Sequence, residues 1–282
     1  MSRQPTRAVV ALAALDLRRT PDHRSELKSQ LLLGEVVRVL GPSRDGQWWR
    51  VRNEADGYAG WARTWGLVGC SPARAARWRA RARGRAVESY AEVRLGRGRG
   101  PLVSPMFWHN QVIAGPARGG FRAVELPDGR RGHIEATAVR TAQGPGVRLV
   151  ERVRRLLGVP YLWGGRTPLG FDCSGLVQLL LAEQGLVLPR DARDQFRVSG
   201  RIAAGEARLG DLVFFGVPGG QPAHVGMALG GGLFVHARGR VRINSVQSGN
   251  ALCDRALLEQ CRGFRRPPGA SVLARTIARK HP

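Results

Sequence analysis

The sequence predicts an α+β protein: two small all-β barrels, followed by a domain that opens with helices and closes with an antiparallel sheet. Three observations predict it. Between Val10 and about Cys70, short apolar runs are separated at close intervals by the turns Asp45-Gly46 and Asp56-Gly57, the pattern of a small barrel. From Gly120 to Ile134 the chain repeats a strand, a Pro-Asp-Gly turn and a strand. After about Val147 the apolar spacing becomes helical twice before strand-like runs return, and helices first with strands after is an α+β layout.

The first barrel is read over residues 1–71, with strands at 31–40, 47–52 and 58–61. It resembles a bacterial SH3-like domain, on the double tryptophan Trp48-Trp49 and the strand carrying Gly60-Trp61. Residues 72–85 place arginine at 74, 77, 79, 81, 83 and 85 and read as a solvated Arg/Ala linker. Residues 86–145 read as a degenerate second SH3-like barrel. The run Gly96-Arg97-Gly98-Arg99-Gly100 is a flexible turn and no phosphate loop, because no strand-then-helix context surrounds it. The third domain is read over 146–268, with a first helix near 147–157, a second after Phe171 that Gly185 stops, and strands at 211–215, 224–229 and 232–237. Residues 269–282 read as a frayed polar tail.

The chain has 282 residues, a hydrophobic fraction of 43% and a net charge of +24. Length and composition fit two or three compact domains. Lys28 and Lys280 are the sole lysines, so the excess is arginine spread over the whole length, read as a solvated surface. No nucleic-acid motif accompanies the charge, and no nucleic-acid partner is expected. No apolar run approaches the ~18 residues of a membrane span, so no membrane partner is expected either. Cys70, Cys173, Cys253 and Cys261 are irregularly spaced and read as reduced thiols. The run from Ala8 to Leu15 superficially resembles a short signal peptide. It flows straight into a strand and turn at 16–21, and the expected location is the cytoplasm, with secretion or the periplasm as the alternative.

Chemistry is expected at Cys173, which stands between a glycine-rich loop and an apolar helix with Asp172 as its N-cap. A thiol on a first helical turn faces unpaired N–H groups and the positive end of the helix dipole, both of which favour thiolate. A small buried thiol filling a loop-to-helix joint is the competing reading, and this segment alone leaves both open. A cysteine nucleophile needs a base, and the base an orienting group. His224 opens one strand and His236 closes the next; across the turn at Gly230, Gly231 and Gly232 they are expected side by side as cross-strand neighbours. One cysteine and two histidines also suit zinc, but neither a second close cysteine nor a helical histidine pair supports it, so no metal and no cofactor are expected.

These residues carry a resemblance. Tyr161-x-Trp-Gly-Gly, the block from Phe171 to Leu176, Leu188-Pro-Arg-Asp191, the strand 210–215, His224-Val-Gly and His236-Ala are similar to the NlpC/P60 family of papain-like cysteine peptidases, over about 120 residues. With SH3-like modules in front, the chain resembles the γ-D-glutamyl-L-diamino-acid endopeptidases of that family. The resemblance implies attack by Cys173, His224 as base, His236 orienting it, and Tyr161 at the oxyanion site with the Cys173 N–H. It implies substrate contacts from Asp172, Ser174, Trp163 and Asp191. For peptides with a free N-terminal L-Ala it implies an ammonium site from Asp172 with Glu26 and Tyr58 of the first barrel. Ala192 stands where the subgroup often has serine, which bears on selectivity.

The activity this implies is hydrolysis of the bond between γ-D-Glu and the diamino acid of released murein peptides, in cell-wall recycling. The alternatives are a secreted hydrolase that remodels intact wall, and an inactive protein that binds wall or another polyanion. The oligomeric state is not legible.

Overall fold

The computed structural model describes residues 4–141 and 148–269. The chain divides into two compact units, Met1–Gly144 and Pro145–Pro282. The expected boundary near 145–147 and the expected tail from residue 270 lie outside the described residues.

The first unit contains two barrels of one design. Strands β1 (Arg7–Val10), β2 (Ala14–Arg18), β3 (Leu27–Leu32), β4 (Val36–Pro42), β5 (Trp48–Asn53), β6 (Ala59–Arg63) and β7 (Leu67–Cys70) pair in the order β3-β2-β6-β5-β4-β1-β7. Strands β8 (Gly84–Ala86), β9 (Tyr90–Arg94), β10 (Leu102–Phe107), β11 (Gln111–Arg118), β12 (Phe121–Glu125), β13 (Arg131–Glu135) and β14 (Val139–Arg140) pair in the order β10-β9-β13-β12-β11-β8-β14, strand for strand the same arrangement. Gly46, Gly57 and Gly129 each hold a positive φ in the Asp-Gly turns, a conformation open to glycine without steric cost. Ala8, Val10, Leu15, Leu17, Leu31 and Val51 fill the first core; Val93, Met106, Val112 and Ile134 fill the second.

The expected solvated linker is in part a docked helix, α1 (Pro72–Arg81). Ser71 caps it by accepting from the Arg74 N–H, and proline sits at its start. Ala75 and Trp78, three residues apart on one face, are buried among Val9, Val36 and Cys70. The Trp78 indole donates to the Gly34 carbonyl at 2.9 Å. Arginine at nearly every other position hides this narrow apolar stripe from a composition reading.

In the second unit α2 (Leu149–Leu156) is followed by the short hairpin β15 (Arg166–Thr167) and β16 (Gly170–Phe171), then α3 (Cys173–Glu183) and α4 (Ala192–Val198). Next come β17 (Gly200–Ile202), β18 (Leu212–Phe215), β19 (His224–Gly230), β20 (Leu233–Arg238), β21 (Arg240–Ser245), α5 (Arg255–Glu259) and β22 (Cys261–Arg266). The sheet runs β17-β22-β18-β19-β20-β21, antiparallel throughout. Helix α3 packs against β19 and β20, and its apolar side chains are buried nearly all round. At its far end Glu183 is buried too, matched by a bidentate pair from Arg152 at 2.8 and 2.9 Å. Among the described residues no helix is long and apolar enough to cross a membrane.

Candidate active site

The glycine-rich loop before Cys173 is folded tightly over the N-terminus of α3, and the glycines are what permit it. A Cβ on Gly165 would lie 2.3 Å from the Gly170 carbonyl oxygen, and one on Gly175 would lie 2.4 Å from that of Gly165. Asp172 accepts from the Gly175 N–H at 2.7 Å through Oδ1, the expected N-cap, and from the Gly164 N–H at 3.0 Å through Oδ2. One carboxylate thus ties the helix start to the loop above it.

That carboxylate is also neutralised. Arg190, 2% exposed, donates from Nη1 to Asp172 Oδ1 at 3.0 Å and to Ser174 Oγ at 3.0 Å, while its Nη2 reaches Asp172 Oδ2. Ser174, itself buried, donates to Asp172 at 3.3 Å. Gln195 of α4 closes the cluster by donating to the carbonyls of Ser174 and Pro189 at 3.1 and 2.9 Å. Asp172, expected as part of the ammonium site, thus has its carboxylate paired with the Arg190 guanidinium.

Cys173 lies at the first turn of α3, 8% exposed, close enough to the Val225 N–H for that group to favour the thiolate. That proximity brings the thiol to the beginning of β19, where His224 stands. His224 and His236 meet through Nε2 and Nδ1 at 2.8 Å, and His236 Nε2 lies 2.9 Å from Asn244 Oδ1. The two histidines are diagonal neighbours rather than directly opposed. Met227 pairs with Val235 and Ala228 with Phe234 before a bulge at the turn, which puts Gly226 opposite His236. An even displacement keeps both side chains on one face, so the contact survives. Gly226 makes room for it: a Cβ there would stand 2.7 Å from the Phe234 ring and 3.4 Å from His236 Cβ.

Electrostatics depart from the local expectation. Burial first and the Asp172 carboxylate second push the Cys173 thiol up to about 11, against the lowering pull of the Val225 N–H, Arg190 and the Ser174 N–H. Burial, followed by the neighbouring His236 and the cations Arg238 and Arg242, holds His224 far below the ordinary histidine range. His236 is lowered as well, again mainly by burial, with Asn244 opposing. The helix N-terminus is outweighed by desolvation, and the resting pair is an uncharged thiol beside an uncharged imidazole.

Tyr161 is anchored by its backbone, its N–H donating to the Gly239 carbonyl at 2.9 Å at the tip of the β20–β21 hairpin. Burial first, then Cys173 and Asp172, push its hydroxyl up to about 12, so it stays a neutral donor beside the thiol. Trp163 is 60% exposed on the adjoining loop, where Leu162 and Leu169 are exposed too. Asp191 is half-buried at the start of α4; its backbone carbonyl accepts from Asp194 and Gln195, and its carboxylate makes no cap bond. Glu26 and Tyr58 belong to the other unit. There Glu26 precedes β3 and pairs with Arg19 at 2.7 Å, and Tyr58 precedes β6 with the Lys28 ammonium 4.7 Å from its ring centre. Sequence reasoning missed Arg190 as the partner of Asp172, although it stands inside a recognised block, and missed Asn244, which nothing in the sequence marks.

Residues 158–256 match the model of the NlpC/P60 family, and residues 17–67 match that of the bacterial dipeptidyl-peptidase Sh3 domain. The chain therefore carries an NlpC/P60 domain and, ahead of it, a bacterial SH3 domain. Members of the NlpC/P60 family are cysteine peptidases. Over 222 residues it is 28% identical to the γ-D-glutamyl-L-lysine dipeptidyl-peptidase of Bacillus subtilis, covering 75% of this chain and 72% of that protein. It is 38% identical over 104 residues to the peptidoglycan endopeptidase RipB of Mycobacterium tuberculosis and 44% identical over 96 residues to the bifunctional muramidase/DL-endopeptidase CwlT of Bacillus subtilis. Those two matches cover 32% and 33% of this chain, and 42% and 29% of the relatives' lengths. The crystal structure of an NlpC/P60 family protein from Bacillus cereus shares the fold, with a TM-score of 0.78 at 20% identity over 92% of this chain and 99% of that one.

Proposed function

We propose that this peptidase cleaves the amide between γ-D-glutamate and the following diamino acid in murein peptides that carry a free N-terminal L-Ala. Cys173 is the nucleophile in this reading, His224 its base, and His236 the group that orients His224. The observation that carries it is the hydrogen-bonded pair His224 and His236 at 2.8 Å, with the residue after His224, Val225, near enough to the Cys173 sulfur for its N–H to favour the thiolate. Because thiol and imidazole are both uncharged at rest, the proton passes from Sγ to His224 as the sulfur attacks the carbonyl carbon. The oxyanion is met by the Cys173 N–H and the Tyr161 hydroxyl. His224 then returns the proton to the leaving amine, and water attack on the thioester releases the γ-D-glutamyl product and restores the thiol.

Substrate choice rests on other observations. The relative from Bacillus subtilis that matches across three quarters of this chain is named for the γ-D-glutamyl-L-lysine bond, and the first barrel matches a dipeptidyl-peptidase Sh3 model. Trp163 supplies apolar wall and Ser174 helps set the groove floor. In this reading Asp172, Glu26 and Tyr58 serve as recognition groups for the free amine, and Asp191 is a further substrate contact. We place the activity in the cytoplasm, on imported peptides.

A second reading, remodelling of intact wall by an exported enzyme, draws on the higher identity to RipB and CwlT over 104 and 96 residues. One experiment separates them: mass spectrometry of products from L-Ala-γ-D-Glu-diaminopimelate, from the same peptide N-acetylated, and from intact sacculi. Cleavage of the free-amine peptide alone, lost in Cys173→Ser and weakened selectively in Glu26→Gln, is expected. Turnover of sacculi with no preference for the free amine overturns the recycling assignment.

A further inference from the structure

Asn244 stands on β21 across from Phe234, on the face that carries the two histidines. Its Oδ1 is 2.9 Å from His236 Nε2 and its Nδ2 donates to the Leu252 carbonyl at 2.9 Å. A main-chain carbonyl only accepts, so the amide nitrogen must face Leu252 and the amide oxygen must face His236. His236 Nε2 therefore carries the proton. A neutral imidazole protonated there accepts through Nδ1, so the bond to His224 is donated by His224 Nε2–H. The nitrogen of His224 left without a proton is then Nδ1. Each step follows from the one before it, and the chain starts at a backbone oxygen in the loop 246–254.

We propose that Asn244 is a positioning residue of this site: anchored on the Leu252 carbonyl, it sets the tautomer of His236 and so leaves His224 Nδ1 free to take the Cys173 proton. The proposal rests on the reading of Cys173 and His224 as nucleophile and base. When His224 becomes imidazolium, its Nε2–H, His236 and the Asn244 oxygen form a line of oriented dipoles that spreads the charge inward without a buried carboxylate. The charged and titratable groups around the pair are Cys173 from α3, Arg238 on β20, Arg242 on β21 and Asp254 at the start of α5. Asp254 sits 3.4 and 3.3 Å from the two guanidinium groups. With both cations nearby, a neutral amide acceptor keeps the base unprotonated where a carboxylate in its place would hold a proton on it.

The test uses the full chain with Asn244→Leu and Asn244→Asp, read by iodoacetamide alkylation of Cys173 against pH, by histidine 15N shifts, and by steady-state turnover of L-Ala-γ-D-Glu-diaminopimelate. Leucine removes the acceptor. It is expected to lower kcat and the alkylation rate roughly 10- to 100-fold, the factor for one charge-assisted hydrogen bond, with KM changed less than about threefold and the His236 shifts moved to mixed tautomers. Aspartate keeps an acceptor for His236 but gives up the donor to Leu252, so it separates the two jobs of the side chain. It is expected to keep the His236 tautomer and to move the acid limb of the turnover profile to higher pH.

If aspartate is as impaired as leucine with an unmoved pH profile, Asn244 merely anchors the loop and the proposal fails. It fails equally if leucine leaves alkylation and tautomer unchanged. His224→Ala is the control: loss of alkylation there with a normal Asn244→Leu sinks only the proposal, whereas normal alkylation in His224→Ala sinks the underlying assignment.

Discussion

Replacing Arg190 by methionine isolates the largest electrostatic commitment beside the nucleophile. The guanidinium is 1% exposed at its side chain and the Asp172 side chain 10%, and Arg190 makes hydrogen bonds to both Asp172 oxygens and to Ser174. Removing one partner of a buried ion pair costs about 3–5 kcal/mol, because the surviving charge stays desolvated. Here the Gly164 and Gly175 N–H groups still solvate the carboxylate, which favours the lower end, about 3 kcal/mol. Set against a domain stability of about 5–15 kcal/mol, that is a large fraction. Asp172→Asn keeps an N-capping oxygen and removes the stranded charge, so the double variant should recover about 2 kcal/mol of the loss. Hydrogen exchange of the α3 amides, measured in the full chain, reports the stability of the unit that holds the pair. A loss under about 1 kcal/mol in Arg190→Met, or no recovery in the double variant, would refute the view that Arg190 exists to neutralise Asp172.

Two further outcomes follow from the same geometry. Gly226→Ala should cost about 1–3 kcal/mol by overpacking against Phe234, and should lower turnover by more than the unfolded fraction explains, since the added methyl meets His236; urea titration beside initial rates checks it, and normal activity with normal stability would count against the register. Folding stability should peak between the histidine and thiol ranges. Both histidines are lowered, so their contribution is whole above the unfolded value of 6.5 and is lost as pH falls below it; Cys173 is raised, so stability is lost again as pH rises from 9.0 towards about 11. Urea midpoints across pH test this, and His224→Gln should flatten the acid side; an unchanged acid side would mean the histidines are not held neutral.

The barrels were legible because Asp-Gly turns are local chemistry: Gly46, Gly57 and Gly129 hold the left-handed conformation their turns demand. The second barrel, written off as degenerate by its sequence, keeps the strand order of the first in full. Helix α1 was not legible. Its apolar face is two residues wide, Ala75 and Trp78, and its meaning depends on a groove in the first barrel that no window of the sequence displays. The hairpin that carries the histidines was read with the right face and the wrong register. A bulge after Ala228 shifts the pairing, and side-chain parity, not the count of residues from the turn, is what kept His224 and His236 together.

The state of the thiol shows where local rules stop. A cysteine at a helix N-terminus is favoured as thiolate by an effect of about 0.3–1 kcal/mol at an exposed position, rising to about 2 in a partly buried one. Desolvation works over the same few ångströms and grows with every side chain packed against the sulfur, and each pKa unit corresponds to about 1.4 kcal/mol. At Cys173 burial stands first, and with the Asp172 carboxylate it outweighs two backbone N–H donors and Arg190. The opposite balance would need either an open thiol or an unmatched Arg190. Neither obtains, because Arg190 is tied to Asp172 and α3 is packed on the sheet. A thiol kept uncharged at rest needs its base fixed in advance with the correct nitrogen free, since proton transfer and attack then have to occur together. That requirement gives the His224, His236 and Asn244 line its use: orientation is built into the fold, and charge is separated only when a substrate carbonyl is present to receive it.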